Sequence, residues 1–304
     1  MSAREKAGEM IPAGEPVLVT GCSTGLGLET ALYLAGQGFQ VYATIRDPRG
    51  EAAVCQAAAE RGVGLTVLQL DVTDRASIEA AATEVEARSG PLYGLVNNAG
   101  IGLRGCLEDL AEEEIRAVFE ANVFGTINVT KRFLPAMRQA GRGRIVTISS
   151  VGGRISSFGL SIYCASKFTQ EGWSEALDLE VSPFGLRAIL VEPGIINTSR
   201  WDVHRGTAAR ASDPNGPYYP LFTRSEAEAD RLVERSKTSP AQVAQTVHTA
   251  LTTRRPRMRY VVGRGATAAI LMKRYLPEPV FERVYFGSLL RKISDGAARR
   301  GRDG

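Results

Sequence analysis

Pro16 to Gly27 read PVLVTGCSTGLG. The run PVLVT is short, apolar and β-branched and ends in a glycine cluster, which is how a buried parallel strand meets its loop. Beyond the cluster, Leu28, Ala31, Leu32, Leu34 and Ala35 recur at helical spacing as far as Gly36. Strand, glycine loop and helix in that order open a βα unit. In such a unit Gly21, Gly25 and Gly27 let the backbone turn tightly and approach a pyrophosphate, whose charge sits among the unpaired N–H groups of the helix N-terminus. The spacing is GxxxGxG rather than the GxGxxG of the commonest dinucleotide fingerprint.

Working outward, the alternation continues. Strands are predicted at 40–45, 65–70, 92–97, 144–149, 186–191 and 259–262, and helices at 51–61, 75–88, 112–139 and 161–182. Repeated β then α with apolar strands predicts an α/β fold, a doubly wound parallel sheet of Rossmann type covered by helices on both faces. The reading is a single catalytic domain over 16–263, an N-terminal extension over 1–15 and a basic helical C-terminal extension over 264–304. Residues 195–225 contain Trp201, His204, Tyr218 and Tyr219 without a clean period and follow a strand's carboxyl end. They read as a substrate loop, because open α/β sheets bind ligands at that edge.

Composition narrows the class. The 304 residues are 44% hydrophobic and 23% charged, enough for a sizeable core and incompatible with disorder or a disulfide-stapled scaffold. The net charge of +4 is unevenly spread: residues 254–304 hold 13 Lys or Arg against four Asp or Glu, so the remainder is mildly acidic. Cys22, Cys55, Cys106 and Cys164 are widely spaced without a CxxC pair, which suggests neither a disulfide framework nor a zinc site. Two distant histidines, His204 and His248, make no metal site. The longest apolar run in the tail, Ala266 to Met272, is far short of a span, and the N-terminus has no signal-peptide core. A cytoplasmic protein without nucleic-acid binding is expected.

Cofactor choice is read at the end of the second strand, where an acidic side chain binds a ribose 2′-OH and a basic one accepts a 2′-phosphate. VYATIRD closes with Ile45, Arg46 and Asp47. With Ile45 at the acidic position and Arg46 beside it, NADP is favoured; with Asp47 serving the ribose, the cofactor is NAD. Asp71, ending LQLDV, suits either an adenine amino group or a helix N-cap. Asn98, Ala99 and Gly100 end the fourth strand, where small residues let cofactor and backbone come close.

The chemistry gathers after the fifth strand. Ser149 and Ser150 end that strand, and Tyr163 and Lys167 follow four residues apart, on one face of a helix. A free phenol near pKa 10 is a poor acid or base at neutral pH, and a fixed ammonium beside it favours the phenolate. Cys164, next in sequence to Tyr163, points elsewhere on that helix and reads as core rather than nucleophile. Phe158, Trp201, Tyr218, Tyr219 and Phe222 are candidates for an apolar pocket or for lid packing.

The set TGCSTGLG, NNAG, Asn122 in ANVFGT, Ser150, YCASK and Pro193-Gly194 resembles the short-chain dehydrogenase/reductase family in its compact, oligomeric branch. The runs YATIRD, NNAGIG, ISSVGG and YCASKFTQEG are especially similar to the 17-beta-hydroxysteroid and retinol dehydrogenase group. The resemblance implies Tyr163 as general acid/base, Lys167 as its pKa modulator and ribose ligand, and Ser150 as a hydrogen-bond partner of the substrate oxygen. It implies that Asn122 holds a water in a proton relay to Lys167, and that the stretch PGIINT, with Pro193, Gly194, Ile196 and Thr198, binds the nicotinamide carboxamide. Ser23, Thr24, Leu26 and Val72 complete the implied cofactor contacts. The activity implied is NADP(H)-dependent interconversion of an alcohol and a carbonyl on a lipophilic substrate, by a homodimer or homotetramer. The basic amphipathic tail suggests a peripheral membrane contact. A non-catalytic nucleotide-binding regulator is the competing reading, and an NAD-dependent dehydrogenase of a small alcohol is another.

Overall fold

In the computed structural model, which describes residues 14–197 and 206–294, the opening strand lies in the middle of a sheet. The strands are β1 (Pro16–Val19), β2 (Gln40–Ile45), β3 (Thr66–Gln69), β4 (Gly94–Asn97), β5 (Gly143–Ile148), β6 (Leu186–Pro193) and β7 (Arg259–Val262). All pairs are parallel and the order is β3-β2-β1-β4-β5-β6-β7. The order reverses between β1 and β4, and this is the crevice where a doubly wound sheet takes a ligand.

Both faces of the sheet are buried, which is why β1 reads as unbroken apolar sequence. Successive side chains alternate: Val17 and Val19 pack on one side with Val41, Val96, Val146 and Ile189, whereas Leu18 packs on the other with Tyr42, Leu95 and Ile145. The first side is covered by α1 (Gly25–Gly36) and a later helix, Pro240–Thr252, through Ala31, Leu34, Val243, Val247 and Leu251. The second is covered by α3 (Arg75–Ser89), α5 (Thr126–Ala140) and α6 (Ser161–Val181), through Ile78, Val85, Phe133, Met137 and Leu177. The short α2 (Glu51–Glu60) follows β2, and α4 (Glu112–Phe119) precedes α5.

Two stretches depart from the sequence reading. The expected helix over 112–139 contains a π-helical turn, Glu120–Gly125, between α4 and α5. Gly125 explains the local fit, since a Cβ there would stand 2.7 Å from Val72 Cγ2. The irregular stretch 195–225 ends inside a regular helix, α7 (Tyr219–Arg235), whose Pro220 sits in the first turn, where a missing N–H is harmless. The tail is helical as expected but broken, into Arg264–Tyr275, Glu278–Phe281, a π turn Glu282–Phe286 and Gly287–Ser294. Phe281 and Ile293 are its buried anchors, and Phe281 packs with Ile155 and Ala269.

Candidate active site

Because every strand is parallel, the loops after β1 to β6 emerge on one edge. Trp201, His204 and Thr198 fall outside the described residues. The glycine loop is fastened to the end of β4: Thr20 Oγ1 accepts from the amides of Asn98 and Ala99, each at 2.9 Å, and Asn98 Nδ2 donates to the Thr20 and Gly21 carbonyls at 2.8 and 3.1 Å. Gly21 and Gly25 have φ of 71° and 61°, a region that glycine alone enters without strain. Gly27 is packed so closely that a Cβ would lie 2.1 Å from the Gly21 carbonyl oxygen. No acidic residue stands in the first turn of α1, so Ser23, Thr24, Gly25 and Leu26 present a helix N-terminus suited to an anion.

Around the crevice, Arg46 is exposed at the end of β2. Asp47 is taken up by its own turn: its carboxylate accepts from the Arg49 amide at 3.0 Å and from Arg49 Nη2 at 2.5 Å, and these bonds hold its pKa down to about 2. Asp71 Oδ1 accepts from the Thr73 amide and hydroxyl at 2.9 and 2.7 Å, but the N-cap of α3 is Asp74, which accepts from the Ala76 amide. The N-cap alternative for Asp71 is therefore replaced by a local turn role. Val72 is buried against Gly125. Pro193 ends β6, the Gly194 amide donates to Val262, and Ile196 enters the core.

The candidate catalytic side chains follow β5, with Ser150 on the loop after it and Tyr163 and Lys167 on α6. Ser150 is extended and caps the turn Val151–Gly153, accepting from the Gly152 amide at 3.0 Å. The Ser150 hydroxyl faces the Tyr163 phenol. A Cβ at Gly152 would lie 3.3 Å from the Tyr163 ring and 3.4 Å from Ser150 Oγ, so that glycine leaves the two side chains room to meet. Burial pushes the Tyr163 phenol up, and the Ser150 hydroxyl pulls its pKa down. Lys167 Nζ lies 5.8 Å from the centre of the Tyr163 ring. Its ammonium is buried and donates to the Ile148 carbonyl at 2.8 Å and to Gln170 Oε1 at 2.9 Å, and burial pushes its pKa down to about 8.

Asn122 lies in the π turn with its side chain committed: Oδ1 accepts from the Ile101 amide at 2.8 Å, and Nδ2 donates to the Ile101 carbonyl and to Ser166 Oγ, each at 3.0 Å. A hydroxyl, a phenol and an ammonium on one wall can protonate, deprotonate and stabilise an oxygen at the crevice, which is alcohol and carbonyl chemistry.

A protein-family model described as short chain dehydrogenase matches residues 15–207. The chain belongs to the short-chain dehydrogenase/reductase family. This short-chain dehydrogenase is 37% identical over 251 residues to the 17-beta-hydroxysteroid dehydrogenase type 1 of Homo sapiens, covering 80% of this chain and 76% of that protein. It is 35% identical over 289 residues to retinol dehydrogenase 5 of Mus musculus, covering 91% and 89%. Among solved structures, a single-residue variant of actinorhodin polyketide ketoreductase with NADPH superposes with a TM-score of 0.68 at 33% identity, covering 84% of this chain and 92% of that one. The chain is thus an oxidoreductase of the hydroxysteroid and retinol dehydrogenase group, with a small-molecule substrate and a nicotinamide cofactor.

The fold of this dehydrogenase also assembles a group that the motifs do not announce. Glu192 on β6 is fully buried and meets Arg154 and Arg259, each at 3.0 Å, while Arg259 also reaches Glu171 of α6 at 2.9 Å. Burial and the neighbouring Glu171 push Glu192 up to about 7, against the two guanidinium groups. Arg104, after β4, is tied to Glu226 of α7 at 2.5 Å. Residues Ser156 to Phe158 and the tail residues Phe286, Leu289 and Leu290 line a recess of about 190 Å³. Cys164 is buried, and Phe222 packs with Leu103 and Ala211 instead of standing open to a ligand. His248 sits edge-on to Tyr33 and Phe39 in the packing of α1, away from the crevice.

Proposed function

We propose that this dehydrogenase is NADP(H)-dependent and interconverts a secondary alcohol and a ketone, or a primary alcohol and an aldehyde, on a lipophilic substrate. The observation that carries the reading is the convergence of Ser150 and Tyr163 on Gly152, with the Lys167 ammonium 5.8 Å from the Tyr163 ring centre, at the carboxyl edge of β5. The cofactor, when bound, supplies the hydride for reduction and accepts it in oxidation. Tyr163 then gives its proton to the carbonyl oxygen as negative charge develops, and Ser150 donates a hydrogen bond to the same oxygen. Both contacts are strongest when that oxygen is charged, so they lower the barrier rather than merely binding the ground state. In oxidation Tyr163 takes the proton, and the Lys167 charge favours the phenolate that can do so.

The glycine loop, Asp71, Val72, Asn98 to Gly100 and Pro193 to Thr198 would hold the cofactor. Arg46 faces solvent where a 2′-phosphate would lie, whereas Asp47 is bonded to Arg49; both facts support NADP over NAD, as does the NADPH in the ketoreductase. The hydroxysteroid relative and the recess beside Phe158 support a lipophilic substrate. Exposed Phe124, Phe168 and Leu179 on the outer side of the π turn and α6 support a homodimer or homotetramer. In the tail, exposed Leu271, Tyr275, Val280 and Val284 interleaved with Arg274 and Arg283 support peripheral contact with an anionic membrane. Four free cysteines suit a reducing cytoplasm.

The test is cofactor oxidation over a panel of steroid, retinoid, aliphatic and aromatic carbonyl compounds with NADPH and with NADH. The expected result is turnover of a lipophilic member with NADPH, reduced about 100- to 10,000-fold in Tyr163→Phe while NADPH binding stays nearly intact. Tight NADPH binding without turnover of any member would support the non-catalytic regulator instead, and near-normal turnover in Tyr163→Phe would remove Tyr163 from the role.

A further inference from the structure

Behind Lys167 the wall is closed by a side chain outside the recognised motifs. Gln170, one helical turn beyond Lys167 on α6, is 2% exposed. Its Oε1 accepts from Lys167 Nζ at 2.9 Å, and its Nε2 donates to the main-chain carbonyl of Asn122 at 2.5 Å and to Thr126 Oγ1 at 3.3 Å. The direction of the amide follows from its neighbours: an ammonium can only donate and a carbonyl can only accept, so the oxygen must face Lys167 and the nitrogen Asn122. The carbonyl it meets belongs to the π turn Glu120–Gly125 and also accepts from Thr126 Oγ1 at 2.9 Å. The Ile148 carbonyl takes a second N–H of Lys167. Of the three ammonium donors, two are thus held by the body of the fold, which leaves the third for the cleft.

We propose that Gln170 is a positioning residue that keeps Lys167 charged and aimed at the cleft by joining its ammonium to the Asn122 carbonyl through a fixed amide. The amide occupies the connection that the family resemblance assigns to a water. A water can pass a proton along; an amide that accepts at oxygen and donates at nitrogen does not, so Lys167 is insulated from proton exchange on the Asn122 side. A hydrogen bond to the charged form opposes the burial that otherwise drives the amine toward neutrality. The significance for catalysis rests on the Tyr163 and Lys167 reading above, but the device itself does not.

The charged and titratable groups that act on Lys167 are Tyr163 and Glu171 on its own helix, and Glu171 is linked through Arg259 to Glu192 on β6 and its partner Arg154. From the π turn and α5 it is approached through the neutral groups Asn122, Thr126 and Gln170. Gln170→Leu therefore removes one dipole and leaves every charge in place.

The experiment is a pH titration of the full chain, labelled with ¹³C at lysine Cε and followed by NMR. The sequence has six lysines, and the Lys167 signal is the one lost in Lys167→Arg. In Gln170→Leu the Lys167 midpoint should fall by about one pH unit, a tenfold easier loss of the proton. In Gln170→Glu, where a carboxylate faces the ammonium, it should rise. An unchanged midpoint in a cooperatively melting Gln170→Leu overturns the proposal. Should that variant not fold, an unchanged or lowered midpoint in Gln170→Glu overturns it equally. A shifted midpoint in a protein that turns over no carbonyl compound would uphold the Gln170 role while removing the proposed activity, so the two fail separately.

Discussion

Gly27 shows what a single hydrogen atom in place of a methyl group allows in the packing of the glycine loop. A Cβ there would press on the Gly21 carbonyl and, at 2.5 Å, on Asn98 Nδ2. Gly27→Ala should therefore cost about 1–3 kcal/mol of stability through overpacking. It should also weaken NADPH binding, seen together as a lower melting temperature and a weaker fluorescence titration. Arg46 carries the opposite kind of prediction, one of charge without packing. Arg46→Ala should raise the KM for NADPH by about 10- to 100-fold, the worth of a lost charge-assisted hydrogen bond of about 1.5–3 kcal/mol, and leave the KM for NADH unchanged. At this scale much was legible in the sequence. Tyr163 and Lys167 share a helix face by spacing alone, and Ser150 announces itself at a strand end. Gln170 was not legible, because its meaning comes from the Asn122 carbonyl, 48 residues away in the chain.

Among the elements, β6 and α6 are coupled by buried charge. Glu192 has a carboxyl pushed up to about 7, above its unfolded value of 4.5. Between those two values the folded protein holds a proton that the unfolded chain releases, so the stability from this group is full below about pH 4.5 and is lost as pH rises through 7. Melting temperature measured from pH 5 to 8 should decline over this window, and Glu192→Gln, which cannot titrate, should flatten the decline. The sequence showed the strand and the helix but not their coupling, because a Glu in an apolar strand has the same local pattern whether or not an arginine stands opposite. The π turn was hidden for a related reason. The apolar rhythm of 112–139 is compatible with an inserted residue, and the tight packing of Gly125 against Val72 joins residues far apart in the chain. The reverse error occurred at α7, where Pro220 and the tyrosines resembled a loop although a proline in the first turn fits a helix.

For the molecule as a whole, the tail folds back onto the stretch after β5. Phe281, 3% exposed, anchors it to Ile155 beyond the Ser150 loop, with Tyr285 stacked on it and Phe286 edge-on to it. Lys273 adds a hydrogen bond to the Arg154 carbonyl at 2.6 Å, and Arg224 of α7 donates to the Ile293 carbonyl at 3.0 Å. Phe281→Ala should cost about 3–5 kcal/mol by emptying this small core. Because the recess beside Phe158 shares Phe286 with it, KM for a lipophilic carbonyl compound should rise more than kcat falls in the same variant. The sequence by itself determined the order of strands and helices, the glycine loop, and the Ser150, Tyr163 and Lys167 set, since each is written in spacings of a few residues that obey a period of two or 3.6. Tertiary structure alone decided that Gln170 bridges Lys167 to Asn122, that Glu192 lies between Arg154 and Arg259, and that a basic tail folds back onto the stretch after β5. Those contacts join residues far apart in the chain, and their energies depend on burial and direction, which no local pattern encodes.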